Sequence, residues 1–234
     1  MHYQPALIPG TLLRRYKRFL ADIVYKNGQQ TTVHCANPGS MLGLAAPGNP
    51  VWVSDSQNPK RKLRMSLELI EVDGVLVGIN THLANKLAEE AIKSGQIPEL
   101  AGYDSHQREV KYGQNSRIDF LLQATHRRKC FVEVKSVTLS RRQGVAEFPD
   151  SITSRGSKHL GELSAQVKAG NRAVQLFVVQ RADCQVFTPA ADIDPQYAKT
   201  LADAIAAGVE VLAVTCQISS KASVIATAIP VELS

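Results

Sequence analysis

The chain has 234 residues, of which 44% are hydrophobic and 21% are charged. That is the composition of a globular protein with one large domain or two smaller ones, and it excludes a disordered or fibrous chain. Lys and Arg number 27 against 21 Asp and Glu, so the formal net charge is +6. An excess of this size is compatible with an anionic partner, although a merely basic surface would also explain it.

The cysteines and the N-terminal sequence bear on the cellular compartment. The four cysteines are far apart and form no CxxC pair, which gives little support to a zinc site or a disulfide framework. The N-terminal residues lack an apolar stretch of signal-peptide length, and no run in the chain is long enough to cross a bilayer. We therefore expect a cytoplasmic protein without a membrane partner.

The first third of the chain is rich in short β-like segments separated by turn residues. The segments are YKRFLADIVY, TTVHC, PVWVS, KLRMSLELIEV and VLVGI, and Asn27-Gly28 and Asp73-Gly74 are among the turns between them. Five short strands in so few residues predict a small β-barrel of the oligonucleotide-binding (OB) kind over residues 1–79. A different small β-fold would give the same pattern.

After residue 80 the pattern changes to alternating helices and strands. HLANKLAEEAIKS has helical spacing and ends at Gly95, and a second helix is predicted over 150–170 with Asp150 as its N-cap. Three strands lie between these helices, and a strand, a helix over 195–207 and VEVLAVTC follow. The order predicts a mixed α/β domain over residues 80–234.

Charged residues interrupt two apolar strands in RIDFLLQATHRRKCFVEVKS. Side chains alternate along a strand, so Glu133 and Lys135 share a face, and Asp119 on a neighbouring strand can lie beside Glu133. Adjacent carboxylates repel unless a cation joins them, and Mg²⁺ or Mn²⁺ would do so. With Lys135 orienting a water, the three residues suit phosphodiester hydrolysis. An ordinary salt bridge between Lys135 and either acid is the alternative.

Other charged residues are candidates for the same site or for phosphate contacts. On the first helix either Glu89 or Glu90 could add a metal ligand, and Glu90 is preferred because it lies at the border of the helix's buried face. On the second helix, Arg155 and Lys158 are candidate phosphate ligands, although a solvated helix face would look the same. A lone His usually packs or forms a hydrogen bond, so His159 is not included in the catalytic set. Basic clusters that suit a polyanion are Arg14, Arg15 and Arg18, then Lys60, Arg61 and Lys62.

Several motifs in this order resemble those of the sugar fermentation stimulation protein A family of bacteria and archaea. They are LLRRYKRFLAD, HCANPGSM, NPKRK, SRIDFLL, CFVEVKSVTL, FPDSITSRGSKHLGEL and GVEVLA. The resemblance implies an OB-type barrel followed by a PD-(D/E)xK nuclease-like (restriction-endonuclease-like αβββαβ) domain, with Asp119 and Glu133 as metal acids and Lys135 as the motif lysine. Ile118 stands where that motif often has proline.

The family resemblance also implies DNA binding without strong sequence preference and a link to the use of maltose and other sugars. Two functions therefore stand beside each other: a metal-dependent nuclease acting on DNA or RNA, and a non-enzymatic DNA-binding regulator of sugar utilisation. A sugar or phosphate binder is a third. The sequence does not indicate an oligomeric state.

Overall fold

The structure, a computed structural model, describes residues 1–113 and 116–233. Its first part is a closed barrel, which confirms the predicted OB-like fold. The five barrel strands are β1 (Ile8–Tyr16), β2 (Leu20–Val24), β3 (Gln30–Cys35), β4 (Pro50–Asp55) and β5 (Met65–Val72). They follow the order β1-β2-β3-β5-β4 around the barrel, which closes through a parallel β3–β5 pairing and an antiparallel β1–β4 pairing.

The strands that form this barrel differ from the predicted set. The segment YKRFLADIVY, predicted as one strand, turns at Lys17 and Arg18, whose φ angles are 48° and 63°. The strand before the turn, β1, contains Pro9 and Gly10, which are unfavourable within strands and conceal it in the sequence. The predicted fifth strand is β6 (Val75–Gly78), which forms a hairpin with β5.

The second part is a mixed sheet with helices on both faces, in the predicted order. The helices are α1 (His82–Ser94), α2 (Ser154–Lys168) and α3 (Pro195–Ala206), with a short 3₁₀ segment at Pro98–Leu100. The sheet has the order β15-β14-β12-β9-β8-β7, and its strands are β7 (Ser105–Tyr112), β8 (Ser116–Gln123), β9 (Cys130–Val137), β12 (Arg172–Val179), β14 (Glu210–Ile218) and β15 (Ser223–Ile229). A second sheet, not predicted, consists of β10 (Leu139–Arg142), β11 (Val145–Phe148) and β13 (Val186–Pro189).

The two faces of the large sheet are packed into separate apolar cores. On one face, Leu160 of α2 and Leu201 of α3 pack with residues such as Phe131. On the other, Leu87 of α1 packs with residues such as Phe120 and Val132. Glu133 and Lys135 follow Phe131 at intervals of two, which turns them toward the α2 face.

The start of α2 differs from its prediction. Thr153, not Asp150, is the N-cap, and its side-chain oxygen accepts a hydrogen bond from Gly156 N. Asp150 instead binds the barrel, since its carboxylate accepts from Met41 N and its carbonyl oxygen accepts from the Ser40 hydroxyl. Asp150 therefore joins the two parts of the chain. Within the described residues, no helix has both the length and the apolar character needed to span a membrane.

Candidate functional site

Strands β8 and β9 separate where the predicted acids lie. The described pairing between them ends at Phe120 and Val132, one residue before Asp119 and Glu133. Asp119 Oδ2 accepts a hydrogen bond of 2.7 Å from Val134 N, and Asp119 Oδ1 accepts one of 2.7 Å from Asn85 Nδ2 on α1. The carboxylate of Asp119 thus continues the interaction between the strands and is held in a fixed orientation.

Glu133 is almost fully buried, with 3% of its surface exposed. Its Oε1 accepts a hydrogen bond of 2.7 Å from Lys135 Nζ and another from His159 Nδ1. Its Oε2 is buried and has no hydrogen-bond partner among the described residues. A buried carboxylate oxygen without a donor is costly, so the arrangement fits a cation at Oε2.

His159, which the sequence-based prediction omits, links Glu133 to the surface of α2. Arg155 Nε donates to His159 Nε2 at 3.3 Å, so Nε2 is an acceptor and we assign the proton to Nδ1, which donates to Glu133. Lys135 Nζ lies 3.4 Å from the same Nδ1. The i,i+4 spacing of Arg155 and His159 on one helix was the available signal for this contact.

The two acids have opposite pKa shifts. Burial, and then the charge of Glu133, raises the pKa of Asp119 to about 6. Burial also acts to raise the pKa of Glu133, but hydrogen bonding by His159 and the charge of Lys135 outweigh it and lower that pKa below its ordinary value. At neutral pH both groups are therefore ionised and repel each other, and a bound divalent cation would relieve the repulsion. The described residues contain no group of three His, Cys, Asp or Glu side chains placed to hold a metal, so a cation here would complete its shell with backbone oxygens, water or substrate.

These residues line an open cleft of about 490 Å³, here called the Asp119 cleft. Its charged and ionisable lining residues are His82, Lys86, Arg108, Glu109, Asp119, Glu133, Lys135, Arg155 and His159. A second cleft of about 260 Å³, the Asp150 cleft, contains Arg18, Asn37, Asp150 and Ile152. The two clefts share Pro38, Thr81, Ser136 and Phe148 as lining residues, so they lie side by side, and together they are called the groove.

The structure does not bring Glu90 or Lys158 into the Asp119 cleft. Glu90 is 53% exposed in its side chain and binds the N-terminal ammonium group at 2.6 Å, so its prediction as a metal ligand is corrected. Asn85 is the residue that α1 provides to Asp119. Lys158 Nζ lies 3.7 Å from Glu162 Oε1, and Lys158 is absent from the described lining of the cleft.

The basic residues of the barrel are divided among several roles. The guanidinium group of Arg15 donates to the carbonyl oxygens of Arg18, Asn37, Gly39 and Ser40. Arg15 is therefore a structural residue, and its prediction as a phosphate ligand is corrected. Arg14 pairs with Asp22 at 2.7 Å on the surface. The cluster of Lys60, Arg61 and Lys62 is exposed in the loop between β4 and β5.

Comparisons with known proteins agree over the whole chain. A family model described as the sugar fermentation stimulation protein RE domain matches residues 82–222, and the SfsA N-terminal OB domain matches residues 13–79. The sugar fermentation stimulation protein homolog of Maricaulis maris (strain MCS10) is 58% identical over 234 residues, which is 100% of both chains. The homolog of Rhodospirillum centenum (strain ATCC 51521 / SW) is 56% identical over 219 residues, which is 94% of each.

A solved structure gives the same result for the fold. The chain described as Pyrococcus furiosus SfsA in complex with Ca²⁺ superposes with a TM-score of 0.89 at 30% sequence identity. The match covers 99% of this chain and 98% of that one.

Proposed function

Since this chain belongs to the sugar fermentation stimulation protein family, we propose that it binds nucleic acid and hydrolyses phosphodiester bonds with Mg²⁺ or Mn²⁺ held by Asp119 and Glu133. The observation that carries the proposal is the meeting of the buried Glu133 carboxylate and the half-buried Asp119 carboxylate with Lys135 in an open cleft. A salt bridge needed only for stability would not require a second acid whose pKa is raised by burial and by the charge of the first.

The residues of the chain divide the chemistry among them. A bound divalent cation would polarise the scissile phosphate and stabilise the charge that develops on it. Asp119 and the unpartnered Oε2 of Glu133 are the residues that would hold the cation. Lys135 holds its ammonium group 2.7 Å from Glu133 Oε1, where it would orient the attacking water and offset negative charge in the transition state.

His159 and Arg155 act as positioning residues for Glu133. Because His159 and Lys135 both donate to Oε1, the carboxylate is fixed with Oε2 available to the cation. Outer hydrogen bonds of this kind orient a metal ligand and increase its affinity for the ion. Arg155 is exposed on the same cleft while its Nε holds His159, so its remaining guanidinium face suits a phosphate oxygen.

The relative from Pyrococcus furiosus supports the choice of cation. That protein is described as a complex with Ca²⁺, which is a hard ion with oxygen ligands, like Mg²⁺. Because both ions take oxygen ligands, a site with carboxylate oxygens suits either ion, although Mg²⁺ requires a more rigid geometry.

A second candidate is a non-enzymatic, largely non-specific DNA-binding regulator of sugar utilisation. It is favoured by one observation, namely that Glu133 already has an ion pair with Lys135 and a hydrogen bond from His159. The barrel and the net charge of +6 would then provide salt-dependent affinity for phosphates. In that case the acids and Lys135 would be a structural ion cluster.

The discriminating experiment incubates the purified protein with end-labelled single-stranded DNA, duplex DNA and RNA, with Mg²⁺, Mn²⁺ or EDTA. We expect cutting that requires the metal and disappears in Glu133→Gln, while binding in EDTA changes little. Glu99→Gln, the same substitution at an exposed position, should cut like wild type. Metal-independent cutting, or full activity in Glu133→Gln, would refute the site, and steep salt-dependent binding without cutting would support the regulator.

A further inference from the structure

The turn between β1 and β2 presents an aromatic ring to solvent. Phe19 is 47% exposed, although a phenyl ring in a tight turn gains nothing from exposure. Its ring lies parallel to the imidazole of His34 on β3, with a centroid distance of 6.5 Å and an interplanar angle of 10°. The backbone supports the pair, because the Phe19 carbonyl oxygen accepts a hydrogen bond from Cys35 N, next to His34.

Cationic groups surround this aromatic pair. Lys17 and Arg18 are exposed in the same turn. Burial, followed by the nearby Arg61 and His82 side chains, lowers the pKa of His34 below its ordinary value, which favours a neutral imidazole at pH 7. The surface therefore combines a neutral, flat stacking element with flanking positive charge, which is the combination that single-stranded nucleic acids bind.

The aromatic pair has a fixed position relative to the groove. Arg15 donates to the carbonyl oxygens of Arg18, Asn37 and Gly39, so it ties the turn to the segment that contains Pro38. Pro38 lines both the Asp119 cleft and the Asp150 cleft. Arg18 itself lines the Asp150 cleft. Phe19 follows Arg18 directly in the chain, so its ring belongs to the turn that borders the Asp150 cleft.

We propose that Phe19, supported by His34, stacks on an unpaired base of a single-stranded nucleic acid whose backbone follows the groove into the Asp119 cleft. The inference rests on the proposed function for the placement of the backbone in that cleft, and it adds the substrate class: single strands, or single-stranded flanks, in preference to continuous duplex. In a duplex both faces of each base are covered by neighbouring base pairs, so an exposed ring has no base face to contact.

The test measures binding without cutting. Fluorescence anisotropy in EDTA at a fixed, moderate salt concentration gives the affinity for a labelled single-stranded oligonucleotide and for a blunt duplex of the same length. Phe19→Ala should weaken single-strand binding by about 5- to 150-fold, the range for losing one stacked base, and should change duplex binding less than about twofold. Phe19→Trp, which keeps an aromatic ring, should bind the single strand about as tightly as wild type.

The matched control is Ile8→Ala, which removes another exposed apolar side chain, 41% exposed, at the opposite end of β1. It should bind both ligands like wild type. Thermal melting followed by circular dichroism confirms that each variant is folded. A second readout uses 2-aminopurine within the single strand, whose fluorescence should be quenched by wild type and Phe19→Trp but not by Phe19→Ala.

Two outcomes would overturn the inference: equal losses for single strand and duplex in Phe19→Ala, or no loss for either. Failure of the nuclease proposal is a separate result, because it would appear as absent cutting with Mg²⁺ or Mn²⁺. If the protein prefers single strands in a way that depends on Phe19 but does not cut them, the Phe19 proposal stands and the nuclease proposal is rejected.

Discussion

Asp119→Asn should stabilise the metal-free protein while removing its metal response. The carboxylate of Asp119 is mostly buried beside Glu133, and its pKa is raised from 3.8 to about 6, first by burial and then by the charge of Glu133. Asn keeps the same shape, and its side-chain oxygen can still accept from Val134 N. Asn85 can rotate its amide so that its oxygen faces the new amide nitrogen.

The sign and size of the effect follow from this pKa. Because the folded-state pKa lies above the unfolded value, the stability that protonated Asp119 contributes is fully present below about pH 4 and is lost as pH rises through about 6. At about 1.4 kcal/mol per pH unit, ionised Asp119 costs the fold at most about 3 kcal/mol. Asp119→Asn should therefore be more stable than wild type by about 1–3 kcal/mol at pH 7.5, and by little at pH 4.

Urea denaturation in EDTA at both pH values measures the difference, and a repeat with Mn²⁺ tests the metal. Mn²⁺ should stabilise wild type and leave Asp119→Asn unchanged. Asp22→Asn is the matched control with the opposite sign, because hydrogen bonds from Thr32, Arg14 and Tyr16 lower the pKa of Asp22, so its loss should destabilise the protein at pH 7.5. Equal stability of Asp119→Asn and wild type at pH 7.5, or the same difference at both pH values, would refute the reasoning.

Two further substitutions test the surroundings of the site. In Gly39→Ala, the added Cβ would overlap both carboxylate oxygens of Asp150, so we expect the free energy of unfolding in urea to fall by about 1–3 kcal/mol. The control Gly161→Ala, on open helix surface, should be neutral or stabilising. Equal effects of the two substitutions would contradict this reasoning. His159→Ala removes one donor to Glu133 and should lower Mn²⁺ affinity by about tenfold in calorimetric titration, and an unchanged affinity would show that His159 does not position the acid.

The sequence predicts the helices and strands of this fold better than the tertiary contacts that determine where they begin and how they pair. Strand alternation correctly places Glu133 and Lys135 on one face, since a period of two depends only on local backbone geometry. The same reasoning misses β1, because Pro9 and Gly10 are unfavourable in an average strand and are tolerated here by the pairing that barrel closure provides. Helix starts are similarly ambiguous: Asp150 and Thr153 are both good caps, and only the Asp150 contact with Met41 decides between them.

Residue roles at the site depend on contacts that are distant in sequence. Arg15 looks like a phosphate ligand from its charge, but carbonyl oxygens 22 to 25 residues away engage it. His159 looks like an ordinary helix residue in the sequence. In the structure, α2 brings it into contact with Glu133, which is 26 residues away in sequence. Periodicity carries no information about such pairs. A prediction from charge alone therefore assigns too many residues to ligand binding and too few to holding other residues in place.

Through the segment 36–41, the barrel contributes to the wall of the Asp119 cleft. Arg15 holds the carbonyl oxygens of Asn37 and Gly39 from the barrel side, while Asp150 accepts from Met41 N on the side of the sheet. Pro38, between these attachments, forms a wall of both clefts. A substitution such as Gly39→Ala that moves this segment should therefore change single-strand binding and metal-dependent cutting together, whereas a barrel and a catalytic domain joined only by a flexible linker would lose them independently.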